Sequence, residues 1–357
     1  MTAGDRVATL APEFGIYIND SPRPIDAISA DIISINVLND VDAMSTGAIT
    51  LSAWNSADVR PKWIDDDRFR EGNSIKIETG YTDYTAPVFT GEIIAIEADF
   101  PEMQTPTVTV RGYDLRHKLM RKRKTHSFTN LKDSDIAAEV ARKSGLDAQV
   151  EDSKVTLPYV LQHNQTDLEF LLDRGRRINY EVVVEDSTLL FRPRKIDAAA
   201  QFSVRRDIEL IEFRARMTTM GQVEEFTVSS WSPKDKKEIV AHSRAGYEST
   251  KMEGTSTGPA NVQERFSGTG STRVTVPVQN QAEADQLAKQ GFSEMALGYV
   301  RAEGTCIGDP RLKPGIVIKV EGIGVRFSGL YYICSTEHRF SMRKGYRTAF
   351  SARRNAT

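Results

Sequence analysis

Residues 49–55 read ITLSAWN and residues 226–232 read FTVSSWS; residues 88–93 read VFTGEI and residues 326–331 read RFSGLY. Either the chain carries one folding unit twice, or these are chance matches within the alternating alphabet shared by half-buried strands. The neighbouring segments discriminate. IISINV (32–37) precedes ITLSAWN as IEFRAR (211–216) precedes FTVSSWS. IKIETG (75–80) precedes VFTGEI as IKVEG (318–322) precedes RFSGLY. EADF (97–100) and EHRF (337–340) follow, then VTVRGYD (108–114) and TAFSARR (348–354). Matches in the same order point to a duplicated antiparallel barrel. Its markers are Trp54, Phe89 and Gly91 in the first copy and Trp231, Phe327 and Gly329 in the second. A glycine inside a strand marks a bulge or a close backbone approach. The two tryptophans, at matching strand ends, read as barrel packing rather than a sugar-binding pair.

The spacing differs in one place. Twenty residues separate Trp54 from Ile75, whereas 86 separate Trp231 from Ile318. The second copy therefore carries an insertion, with a Gly/Ser/Thr-rich segment at 246–273 read as a long mobile loop and a helix at 281–300. Between the copies the character changes. DSDIAAEVARKSG (133–145) has helical periodicity, an Asp at its start and a glycine stop. Thr166 and Glu169 have capping-box spacing ahead of the amphipathic EFLLDRGRRI. EVVVED and TLLFRPR then read as a hairpin. The expected fold is mainly β with α+β parts: two similar tube-type antiparallel β-barrels joined by a small α/β module, the second barrel carrying a loop-and-helix insertion. The expected boundaries are 1–115 for the first barrel, 116–200 for the module, 201–235 with 310–357 for the second barrel, and 236–309 for the insertion.

Bulk properties narrow the function. The 357 residues exceed one ordinary domain, and 39% apolar with 27% charged residues suits a packed chain rather than a disordered one. A net charge of −2 provides no whole-molecule field for nucleic acid or anionic membrane. The first residues show no apolar secretory core, and no stretch reaches the length of a bilayer span, so a cytoplasmically made protein with no membrane span is expected. Cys306 and Cys334 are then expected to be reduced core residues.

Two stretches carry a resemblance beyond the duplication. These are GYDLRHKLMRKRKTHSFTNLKDSDIAAEVARKSGL (112–146) and YVLQHNQTDLEFLLDRGRRINYEVVVEDSTLLFRP (159–193). Together with the doubled barrel, they resemble the late-control D proteins of contractile phage tails, whose relatives form the hub portion of type VI secretion spikes and of extracellular injection systems. The resemblance covers roughly residues 15–350, and its most specific part is Gln-x-x-x-x-Asp-x-x-Phe-Leu at 162–171. It implies a homotrimer whose barrels make a pseudo-hexameric ring between a hexameric inner tube and a three-fold spike. Other baseplate proteins would surround it, and cargo would pass through a central channel. It also implies assembly in the bacterial cytoplasm into a phage tail or an extracellular or cytoplasmic injection particle. Spike-type relatives continue into an oligonucleotide-binding-like barrel and a needle. With the sequence ending at Thr357 after the second barrel, a separate trimeric spike protein is expected.

Sharper chemistry finds little support in the sequence. The basic run Arg121–Lys124 lacks the interleaved aromatics of a nucleic-acid patch and reads as a solvated, subunit-facing or channel-lining segment. The five histidines and two cysteines show no metal-ligand spacing, so neither metal nor cofactor is expected. Gly268-Thr269-Gly270 lacks the third glycine of a dinucleotide loop. Asp65-Asp66-Asp67 is weak support for a glycosidase pair in so acidic a chain, and His163 with Asp167 falls within the cap motif. No catalytic residue is expected. The alternatives are a tail-associated cell-wall-degrading enzyme and a glycan-binding tail-tip protein.

Overall fold

The computed structural model describes residues 11–232, 235–248, 250–266 and 270–357; the start of the chain and Gly268-Thr269 of the glycine motif lie outside them. The chain forms two compact units. Unit 1 extends to His117 and adds residues 305–314 and 335–350; unit 2 holds 118–304, 315–334 and 351–357.

Unit 1 begins with β1 (Pro12–Ile18), β2 (Ile32–Asp40), β3 (Thr46–Ser52), the short β4 (Trp54–Asn55) and β5 (Arg60–Pro61), β6 (Ser74–Tyr81), β7 (Tyr84–Asp99) and β8 (Thr107–Tyr113). Period-two alternation turns Ile49 and Leu51 of β3, Ile75 and Ile77 of β6, and Val108 and Val110 of β8 into one shared core. The long β7 changes partner midway. Tyr84–Glu92 pair with β6, and Glu92–Asp99 pair with β8.

Unit 2 starts with a ribbon of β9 (Lys124–Lys132) and β11 (Thr156–Gln165). Around it lie α1 (Asp133–Lys143), β10 (Asp147–Val150), α2 (Asp167–Ile178), β12 (Tyr180–Glu185) and β13 (Thr188–Pro193). Strands β10, β13 and β12 form a three-stranded sheet in that order. After β14 (Ser203–Arg205) and β15 (Leu210–Met217) come β16 (Glu225–Ser232), β17 (Lys237–Arg244), α3 (Gly258–Arg265), β18 (Ser271–Thr275) and α4 (Gln281–Leu297). The chain ends with β19 (Val300–Ile307), β20 (Val317–Glu321), β21 (Gly329–Ser341) and β22 (Gly345–Arg354).

The strand order confirms a mainly β fold built on a large antiparallel sheet, and it exposes the repeat. Five strands are neighbours in the order β6-β7-β8-β3-β2, and five more in the order β20-β21-β22-β19-β15. The last strand of the first hairpin pair, β8, thus has its counterpart in β22, and β7 has its counterpart in β21.

One assignment must be corrected. The counterpart of ITLS on β3 is VRAEGTCI on β19, not FTVSSWS. FTVSSWS is β16, the centre of a separate sheet ordered β17-β16-β18. The reason is physical: alternation specifies a strand with one buried face, not which surface buries it. Val228 on β16, with Ile239 and Ala241 on β17, packs on Ala284 and Ala288 of α4. The inserted segment therefore runs from the end of β15 to the start of β19, so 226–232 leaves the repeated sheet and 300–307 joins it. The expected loop at 246–273 also contains structure. Thr257 Oγ1 caps α3 by accepting the Ala260 N–H at 3.4 Å.

Candidate functional site

The repeated strands place the paired Phe-x-Gly motifs. Phe89 is buried on β7, and its ring lies over two glycines of adjacent strands. A Cβ at Gly47 would stand 2.6 Å from the ring, and one at Gly112 would stand 3.1 Å from it. Gly91 lies beside Glu92, the residue where β7 passes from β6 to β8. The backbones approach so closely there that a Cβ at Gly91 would sit 2.2 Å from the Tyr113 carbonyl oxygen.

The second motif solves a different problem. Gly329 has φ +137°, which disfavours any side chain, and the Arg354 guanidinium occupies the space where a Cβ would point, at 2.5 Å. That guanidinium is buried; its Nη1 donates to the Ser328 carbonyl at 2.7 Å, and it lies over the Tyr331 ring. Phe327 is half-buried, and its carbonyl accepts the Tyr331 hydroxyl at 2.7 Å. Trp54 is half-buried on β4, whereas Trp231 is 61% exposed on β16. The two tryptophans are not equivalent positions of the repeat.

In unit 2 the basic run meets the helix cap. Thr166 Oγ1 accepts the Glu169 N–H at 3.2 Å, and Glu169 Oε2 accepts the Thr166 N–H at 2.9 Å. The Thr166 amide is the main reason that the Glu169 carboxyl is held below its usual range, with Arg123 adding to the effect. Arg123 donates to Glu169 and to the Asn164 carbonyl, and Lys124 pairs with Asp167 at 2.7 Å. Part of the basic run therefore fastens β9 to the start of α2. Gln162 of the same motif donates to Asp167 Oδ1 at 3.0 Å, and both side chains are buried. Asp133 opens α1 and takes a two-point bond from Arg174 at 2.6 and 3.0 Å.

A cleft of about 580 Å³ opens between β11, α2 and residues 277–283, and no motif in the chain marks it. Its charged lining is internally compensated: Arg174 pairs with Asp133, and Arg177 with Glu283. Gln279 spans the edge of β11, its carbonyl accepting the Tyr159 N–H at 3.3 Å and its amide donating to the Tyr159 carbonyl.

The groups considered for catalysis are not arranged for it. Hydrogen bonding to Arg68 holds the Asp66 carboxyl below its usual range, the opposite of what a general acid needs. His163 is exposed, while Asp167 directs its carboxylate to Gln162 and Lys124. His338 is fully buried in unit 1, with Nδ1 2.8 Å from Tyr346 Oη and 3.2 Å from Thr348 Oγ1. Burial lowers its pKa to about 4, so it is a neutral core group. Among the described residues, no group of three His, Cys, Asp or Glu side chains could hold a metal ion, and no helix is long and apolar enough to cross a membrane.

Comparison with known proteins places this architecture. The 43 kDa tail protein of prophage MuSo2 from Shewanella oneidensis superposes with a TM-score of 0.71 at 15% identity, over 96% of this chain and 98% of that one. A tail protein from Neisseria meningitidis MC58 gives 0.69 at 12% identity, over 95% and 96%. The E. coli c3393 protein, a component of the type VI secretion system, gives 0.56 at 12% identity, over 96% of this chain and 77% of that one. The chain thus has the fold of these tail and secretion proteins. No curated protein sequence matches it. Residues 18–341 match the family model described as the Alg8 N-terminal domain, and the chain belongs to that family.

Proposed function

We propose that this protein is the structural hub of a contractile phage tail or phage-derived injection system. It is a homotrimer whose duplicated sheets form a pseudo-hexameric ring joining a hexameric inner tube to a separate trimeric spike. The observation that carries this reading is the repeated strand order, β6-β7-β8-β3-β2 and β20-β21-β22-β19-β15. Three chains with one such unit would offer three equivalent surfaces to a six-fold tube. Three chains with two units offer six, while the inserted parts retain three-fold symmetry for the spike. The fold shared with phage tail and type VI secretion proteins supports the same setting. In this role the protein assembles with other baseplate proteins in the bacterial cytoplasm, passes cargo through a central channel, and has no catalytic residues.

Light scattering on the purified full-length chain tests the trimer. The expected mass is three times the 39.8 kDa of one chain. A stable monomer, both alone and mixed with its tube and spike partners, would refute the proposal. A second reading, glycan binding at the tail tip, draws on the exposed Trp231. Glycan-array binding abolished by Trp231→Ala would favour it over the hub.

A further inference from the structure

Five of the seven exposed large apolar side chains described in unit 1 lie at one end of its strands, whereas Leu38 and Tyr84 lie at the other. Backbone register defines that end: Ser341 pairs with Ser34, Ser34 with Thr50, Thr50 with Thr109 and Thr109 with Glu97, so these residues form one row across five strands. Just beyond the row lie two turns. Residues 100–106 join β7 to β8, and residues 342–344 join β21 to β22. These are equivalent turns of the two repeats, since β7 and β8 correspond to β21 and β22 in the strand order. The first turn presents Met103, 98% exposed, and Phe100, 56% exposed; the second presents Met342, 75% exposed. At the same end, Ile33 is pushed outward where the β2–β3 register shifts, and Val59 is exposed in the turn between β4 and β5. Val59 has φ +51°, a conformation that costs a β-branched residue energy. The Ala53 N–H bond to the Pro106 carbonyl, at 2.8 Å, holds the segment after β3 beside the β7–β8 turn.

Solitary exposed apolar residues need no explanation, but several on adjoining turn tips mark an interaction surface. Methionine suits such a surface, because its flexible thioether adapts to the pocket it enters. The repetition identifies the partner. A single chain presents two like protrusions on topologically equivalent turns, which fits a partner with identical sockets repeated around a ring.

We propose that this end of unit 1, with Met103 and Met342 as its paired contacts, is the surface that seats the first ring of the six-fold inner tube. The inference rests on the hub reading, and in the trimer it gives six methionine contacts facing six tube subunits. The spike would then dock elsewhere.

The test uses the full-length chain and the recombinant inner-tube protein of the same particle. Met103→Glu, Met342→Glu and the double variant are compared with wild type, with mass by light scattering and tube binding by biolayer interferometry. Met220→Glu, at a site 82% exposed in unit 2, is the control. Both target side chains face solvent, so the variants should fold. The inference expects an unchanged trimer mass, at least tenfold weaker binding for each single variant, a larger loss for the double variant, and no change for Met220→Glu. Undiminished tube binding by a trimeric double variant would overturn it. Loss of the trimer in the double variant would also overturn it, because the surface would then join copies of this chain. A monomeric wild type would instead refute the hub reading itself.

Discussion

The buried His338 makes stability depend on pH in a calculable way. The side chain is fully buried, and burial is the largest cause of its low pKa, about 4 against an ordinary 6.5. Lys313 lowers the pKa further; the Leu312 backbone and Asp309 act in the opposite direction without cancelling burial. A base with a depressed folded-state pKa is protonated first in the unfolded chain. Its neutral form supports the fold above about pH 6.5, and that support is lost as the pH falls towards 4. The full shift corresponds to about 3 kcal/mol, of which about 2 kcal/mol is lost between pH 8 and pH 5. Urea unfolding at fixed protein concentration across this range measures the loss. His338→Asn supplies the comparison, because its side-chain oxygen can take the place of Nδ1 beside Tyr346 and Thr348 without titrating. The variant should lose about 2 kcal/mol less than wild type between the two pH values. Identical pH dependence in both proteins would contradict this, showing that His338 is already accessible to protons in the folded state.

Three further substitutions test the packing. Gly91→Ala would place a methyl 2.2 Å from the Tyr113 carbonyl oxygen, which is backbone and cannot swing away. It should destabilise by about 1–3 kcal/mol in urea titration, more than the same change at Gly145, where a Cβ meets nothing within 4 Å but φ is +72°. Thr166→Ala removes the hydroxyl that caps α2 and should cost about 1 kcal/mol by thermal or urea unfolding. Arg174→Met leaves the buried Asp133 carboxylate without its two-point partner and should cost about 3–5 kcal/mol, recovered in part by Asp133→Asn in the same chain.

These sites differ in how far the sequence discloses them. Thr166 and Glu169 are visible because a capping box is local, its two hydrogen bonds fixed by a three-residue spacing. Phe89 and Gly91 stand out because a glycine within an alternating strand implies a close backbone approach, here to Tyr113. The doubling of the sheet is legible from segment order, yet FTVSSWS misleads. Its alternation matches that of ITLSAWN, while the true counterpart, VRAEGTCI on β19, shares little of its wording. Register and partner choice are long-range properties, and the 82 residues from 218 to 299 hide the continuity from β15 to β19. The same limit applies to His338, Tyr346 and Thr348. Their contacts depend on the antiparallel return from β21 to β22 and carry no motif. The clustering of Met103 and Met342 at one end requires the register of five strands and cannot be seen from either turn alone.

In the proposed trimer, three chains present six like faces to a tube. Native mass spectrometry of the full-length protein assembled with the inner-tube protein of its particle measures this directly. The expected complex contains three copies of this chain for each ring of six tube subunits. A complex with equal numbers of the two chains would mean that each chain offers one tube-binding face and would contradict the proposed trimer.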